Sequence, residues 1–169
     1  MSQEINKEME ALIRGWGLPK ALKEQEGDIE YQFNGKRIIV DKHEQEYLCD
    51  DAGAKFCLYN KINDKALFTM DFHKSASWFG ELMQTNGKSI TLKLLYVIDD
   101  SLRDQKIATF YVKKLQGYAR DEGMDYINVA PYTDVDIFKD NKAKALSQSD
   151  LVKFYEKLST PEMPIKISY

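Results

Sequence analysis

The sequence holds only two cysteines, two histidines and four prolines, and it has no long apolar run. Each shortage closes off a class of protein. Cys49 and Cys57 lack CxxC spacing and stand beside no histidine cluster, so neither a disulfide framework nor a zinc site is expected, and a reducing, cytoplasmic setting is. The longest unbroken apolar run is Leu94-Leu95-Tyr96-Val97-Ile98, against the about 20 residues that a membrane helix needs, so no membrane partner is expected. Met1 to Glu10 is polar and acidic, unlike a signal peptide. No charge of one sign dominates: 24 Lys+Arg stand against 27 Asp+Glu, a net charge of −3. A protein that grips the nucleic-acid backbone normally carries a basic surplus, so no nucleic-acid partner is expected either. What is present is core material. Hydrophobic residues make up 43% and aromatic residues 12%, which excludes a disordered chain. At 169 residues, one domain over 1–169 is the expectation.

The periodicities divide that domain. Ile5, Met9, Leu12 and Ile13 lie at helical spacing and are stopped by Gly15, Gly17 and Pro19, and residues 20–26 suit a second short helix, giving N-terminal helices over 1–28. Antiparallel strands are predicted over 29–98. Asn34-Gly35 between Ile29–Phe33 and Lys36–Val40 is a strong hairpin signal, because both turn positions favour positive φ. Tyr47–Asp50, Lys55–Asn60 and Ala66–Phe72 follow as strands, with turns at 51–54 and 61–64. A turn centred at 52–53 places Cys49 opposite Phe56. Residues 73–88 read equally as a short helix or a packed loop, and Ser89–Ile98 reads as a long strand.

Beyond residue 98 the period changes. Ile107, Tyr111, Leu115 and Tyr118 form one face of a helix ending near Glu122-Gly123, where glycine suits a C-cap. Asp125–Ala130 reads as a strand and 131–145 as a polar loop. Ser147 or Ser149 caps a helix striped by Leu151, Phe154, Tyr155 and Leu158, and Pro164–Tyr169 reads as a last strand. The order predicts an α+β fold with a mixed, mostly antiparallel sheet flanked by helices.

The chemistry is concentrated between Leu95 and Ile127. The strand Leu94–Ile98 runs through Asp99-Asp100-Ser101-Leu102 into Arg103-Asp104-Gln105-Lys106-Ile107-Ala108 and a helix ending in "YARDEGMDYINV", while Phe154-Tyr155-Glu156-Lys157-Leu158 follows about 30 residues later. Over roughly residues 89–160 this resembles the GNAT superfamily of N-acetyltransferases. There, a strand leads through Arg/Gln-x-x-Gly-x-Gly/Ala into a helix, and a later helix ends in "FYEKLGF". The resemblance implies a GNAT-like acyl-CoA N-acyltransferase fold, with 99–169 as cofactor-binding helix, strand, helix and strand. It implies that acetyl-CoA is the co-substrate and that no metal takes part. It also implies an acceptor amine, on a small molecule or a protein, that attacks the acetyl carbon directly, and a possible homodimer. Backbone groups of Val97 and Ile98 would pair the pantetheine arm. Arg103, Asp104, Gln105, Lys106, Ile107, Ala108 and Thr109 would hold the pyrophosphate, and Tyr155 would protonate the departing thiolate. The acceptor side would come from about residues 1–30 and 70–88. The other reading is a GNAT-shaped binding or regulatory protein without catalysis.

Anion binding at a helix start has a simple cause. First-turn N–H groups have no intrahelical partner, and the helix dipole adds partial positive charge. Arg103, Lys106, Lys113 and Lys114 outnumber Asp104 in this stretch, which suits a ligand with several phosphates; the same charges also suit a solvated face. Lys106 stands where the family pattern has its first glycine. If that position is left-handed, lysine costs about 1–2 kcal/mol there; if right-handed, it costs little and adds a cation. Ser159-Thr160 replaces the family's Gly-Phe, and Asp99 and Asp100 would repel phosphate if they faced it. Tyr155 reads either as a general acid or as a packed stripe residue. Asp71, Glu81 and Asp99 are candidate bases, and nothing in the sequence ranks them. His73 after a strand and His43 in a solvated turn read as structural, while Trp16 and Trp78 read as core packing, with the wall of a substrate pocket as the alternative.

Overall fold

The computed structural model describes residues 7–33, 35–40, 43–50, 52–74, 88–102, 106–129 and 148–167. The first elements are helices α1 (Lys7–Gly15) and α2 (Lys20–Lys23), followed by strands β1 (Ile29–Gln32), β2 (Gly35–Val40), β3 (His43–Cys49), β4 (Gly53–Asn60), β5 (Lys65–Lys74) and β6 (Ser89–Val97). Helix α3 (Ile107–Asp121), strand β7 (Tyr126–Val129), helix α4 (Gln148–Leu158) and strand β8 (Ile165–Ile167) complete the described chain. The strands hydrogen-bond in the order β2-β3-β4-β5-β6-β7-β8, with β1 joined to β4 off that path. The fold is therefore α+β, with a mixed, mostly antiparallel sheet flanked by helices, as the element order predicts. It divides into two compact units, Met1–Asp71 with Leu94–Phe110 and Phe72–Lys93 with Tyr111–Tyr169.

In the first unit β4 is the organising strand. Nearly all of Gly53–Asn60 is buried, because β4 takes partners along its length. Ile29↔Asn60 through Gln32↔Cys57 join it to β1, and Leu48↔Lys55 and Cys49↔Ala54 join it to β3. The turn into β4 is tight: Asp50 Oδ1 accepts the N–H groups of Ala52 (2.8 Å) and Gly53 (3.0 Å). Asn60 repeats the device after β4, accepting from Ile62 and Asn63, while its Nδ2 donates to Gln25 Oε1 at 2.7 Å. Ile13, Leu22, Phe56, Leu58, Phe68 and Met70 are fully buried, and Phe33, Phe56 and Phe68 form a chain of tilted ring contacts.

Several expectations are corrected here. Asn34-Gly35 does not join paired neighbours: β1 pairs β4, and β2 pairs β3 through Gly35↔Tyr47 to Val40↔His43. Local turn chemistry has yielded to the apolar partner that β4 offers β1. Cys49 faces Ala54 rather than Phe56, because the Asp50 turn is shorter than a centre at 52–53 requires. Both cysteines are buried, and neither is in a disulfide. His43 lies in β3 rather than in a turn, and His73 lies within β5 rather than after it. The second helix stops at Lys23, and a 3₁₀ turn, Glu26–Asp28, follows. Trp78, Glu81, the 131–145 loop and Ser147 lie outside the described residues, and Trp16 is half-buried.

The second unit carries the parallel part of the sheet. Ser89–Leu92 pair with Tyr126–Val129, and Ile127–Val129 pair with Ile165–Ile167. Parallel neighbours need a crossover, and α3 and α4 supply the two here. The predicted α3 stripe is buried at Ile107, Tyr111, Leu115 and Tyr118, and Val112 and Ala119 widen it. The helix ends as expected at Gly123, whose φ of 71° is left-handed. Gly123 N–H donates to Arg120 O (3.1 Å) and Met124 N–H to Ala119 O (2.9 Å), the paired bonds of a Schellman ending. Asp125 then donates its N–H to Lys88 O and accepts the Lys88 N–H, both at 2.7 Å, which sets the start of β7 beside β6.

Candidate functional site

The candidate site is the passage from β6 into α3. β6 continues to Val97, beyond Leu92, where its described register with β7 ends. Leu67 O then accepts from Ile98 N–H at 2.8 Å and from Asp99 N–H at 3.3 Å. The Ile98 donor is therefore already used, which narrows the expectation that Ile98 pairs a pantetheine arm. Asp99 turns its side chain back on the chain: Oδ1 accepts the Ser101 N–H (2.9 Å) and Oγ (2.7 Å). Asp100–Leu102 form a 3₁₀ turn closed by Leu102 N–H on Asp99 O (3.0 Å), with Leu102 buried beneath it. This expected base candidate is thus held locally as a turn former. Asp71 is half-buried in β5, and Glu81 lies outside the described residues.

Arg103, Asp104 and Gln105 also lie outside the described residues. Lys106 is exposed, and its φ of 63° places it in the left-handed region. That is the costlier of the two alternatives: Cβ crowds the carbonyl in this conformation, at about 1–2 kcal/mol for an L-residue. The helical ladder starts with Phe110 N–H on Lys106 O at 3.0 Å. The N–H groups of Ile107, Ala108 and Thr109 precede that bond and have no intrahelical acceptor. Ile107 is buried and anchors the turn, while Ala108 and Thr109 are half-buried. Lys113 and Lys114 are exposed further along. The first turn of α3 thus presents amide hydrogens directly after an exposed lysine, a combination suited to anionic oxygens.

Tyr155 belongs to the second unit. It is 5% exposed on α4, and burial pushes its phenol well above the ordinary value. A phenol in that state keeps its proton through the neutral range. Phe154 and Leu158 of the same predicted stripe are half-buried.

The end of α4 explains the Ser159-Thr160 pair. Ser159 Oγ accepts Ile165 N–H at 2.9 Å, and Thr160 Oγ1 accepts Met163 N–H at 3.1 Å. The two hydroxyls close the turn into β8, work that glycine and phenylalanine side chains cannot do. The sequence reading missed two polar groups of this unit. Gln116, buried on α3, donates from Nε2 to Leu158 O (2.8 Å) and Met163 O (3.2 Å). Lys74 Nζ donates to Glu122 Oε1 at 3.0 Å, and Tyr118 OH donates to the same oxygen at 3.2 Å. A glutamine at the shoulder of an apolar stripe looks like surface in sequence. Lys74 and Glu122 are 48 residues apart, so neither had a signal.

Among the described residues, no group of three or more His, Cys, Asp or Glu side chains is arranged to hold a metal ion, and no helix is long and apolar enough to cross a membrane. No family model and no curated protein matches the sequence. Among solved structures, the chain is similar to a transcriptional regulator from Bacillus halodurans C-125, with a TM-score of 0.42 and 16% identity over 66% of this chain and 61% of that one. It is also similar to a ribosomal-protein-alanine N-acetyltransferase from Brucella melitensis biovar Abortus 2308, with a TM-score of 0.37 and 18% identity over 59% of this chain and 69% of that one. This chain therefore spans about 61% of the regulator's length. Likenesses this distant assign no activity.

Proposed function

We propose that the protein is a GNAT-type N-acetyltransferase that moves an acetyl group from acetyl-CoA to an amine in a ternary complex. The observation that carries this reading is the opening of α3. Lys106 holds a left-handed conformation (φ 63°) at the place where the family pattern has glycine, directly before three amide hydrogens without helical acceptors. The chain keeps a backbone shape that favours glycine while placing a cation there, and that combination suits a pyrophosphate. Lys106 and the amides of Ile107, Ala108 and Thr109 are the described groups that would hold it, with Arg103 beside them in sequence.

The chemistry follows from charge. A neutral amine attacks the acetyl carbonyl carbon, the C–S bond breaks, and the electron pair leaves on sulfur. Tyr155 supplies a proton to that thiolate, since its phenol carries one at neutral pH, and burial makes it a weaker donor than an exposed tyrosine. The amine loses its own proton to a carboxylate or a water. The acceptor is a small-molecule or protein amine.

Thermal denaturation with added acetyl-CoA tests the reading. A ligand that binds only the folded state stabilises it by about 3–4 kcal/mol at 100–1,000 times its Kd. A rise in melting temperature that saturates with acetyl-CoA is expected, with release of free thiol on an amine panel. An unmoved melting temperature at millimolar acetyl-CoA would sink the reading. Binding without turnover would favour a regulatory protein of the same fold.

A further inference from the structure

Helix α4 carries Tyr155, and the tie on that helix closest to the phenol's own turn comes from a different helix. Ser159 N–H closes the last α4 bond on Tyr155 O at 3.0 Å, so Tyr155 and Leu158 share the terminal turn. The carbonyls of such a turn have no helical donor and need one from elsewhere. Gln116 provides it: Nε2 donates both to Leu158 O (2.8 Å) and to Met163 O (3.2 Å) in the turn that follows. The glutamine is 7% exposed, so its amide would be costly to leave without partners. The clamp extends outward. Thr160 Oγ1 accepts Met163 N–H, Ser159 Oγ accepts Ile165 N–H, and Ile127 N–H donates to Pro164 O at 2.9 Å. One amide on α3 therefore ties the last turn of α4 to the turn that follows it.

We propose that Gln116 is a positioning residue for Tyr155: its side-chain amide fixes the terminal turn of α4 and thereby the place of the phenol. The inference deepens the acetyltransferase reading and rests on it for its catalytic consequence. A proton donor displaced by about 1 Å loses on the order of 100-fold in rate, so a clamp one turn away has leverage.

The test separates the two ideas. The full chain is labelled with 3-fluorotyrosine, and the Tyr155 line is assigned by its loss in Tyr155→Phe. Gln116→Met keeps the volume and removes the donors. The Tyr155 line should shift and broaden, and its phenol should titrate at lower pH. Gln116→Asn, too short to reach both carbonyls, should act in the same direction and serves if Gln116→Met does not fold. A Tyr155 line unmoved in position, width and titration would overturn the proposal, even if the melting temperature fell. On an amine that supports turnover, Gln116→Met should lower kcat about 10–100-fold with acetyl-CoA affinity kept, and should add nothing in a Tyr155→Phe background. Additive losses would mark a merely structural glutamine and overturn it. If Tyr155→Phe leaves kcat unchanged, the acid reading fails, whatever the fluorine spectrum shows.

Discussion

Lys106 concentrates the conflict between stability and site at one residue. Its φ of 63° is left-handed, so a glycine there would relieve about 1–2 kcal/mol of crowding and give back up to about 1 kcal/mol in unfolded-chain entropy. Lys106→Gly should therefore raise stability in urea by a few tenths to about 1 kcal/mol; a loss would mean that the lysine side chain makes up the strain. At this scale the sequence told part of the story. It marked position 106 as the unusual one but left the backbone hand open, because lysine is compatible with either. It showed Ser159-Thr160 as a departure from the family pattern. Only coordinates show both hydroxyls capping the turn before Ile165. Gln116 carried no signal, since the partners of its amide are backbone carbonyls more than 40 residues away.

Among elements, α3 was the most legible. Its stripe repeats every three or four residues, and a helix turns that repeat into a single buried face whatever it packs on. The N-terminal strands were harder. Asn34-Gly35 is locally a good hairpin turn, yet β1 pairs β4, where Leu58 and Cys57 are fully buried. Non-local pairing of this kind has no local signature. The tie between the ends of β5 and α3 is a further case. Lys74 holds the Glu122 carboxyl below the ordinary carboxylate range through their hydrogen bond, while burial lowers the Lys74 amine and Glu122 and Tyr118 together outweigh it and raise the amine. A depressed carboxyl adds stability above its unfolded value of about 4.3, and that contribution is lost as pH falls through the folded value. A raised amine adds stability below about 10.4, lost as pH rises past its folded value. The Glu122 side chain is 39% exposed, so solvent screening limits the pair. Glu122→Gln should therefore lower stability by no more than about 1 kcal/mol at pH 7, and the difference from the parent should vanish near pH 3. A difference that persists in acid would assign the effect to packing.

For the molecule as a whole, net charge and local charge oppose each other. At −3 the chain repels a polyphosphate at long range, so binding must come from local groups. Arg103→Ala combined with Lys106→Ala should weaken acetyl-CoA binding and flatten its dependence on salt, measured by titration calorimetry from low to high ionic strength. An unaltered Kd would move the phosphate site elsewhere. The sequence by itself determined the element types, the α3 face, the glycine stop at Gly123 and the absence of a disulfide framework, because these follow from periodicity, capping chemistry and residue counts. Tertiary structure alone decided which strand β1 joins, that Lys106 turns left-handed, and that Gln116 closes α4. Each of those depends on a partner distant in the chain or on a choice between backbone conformations that the residue type leaves open.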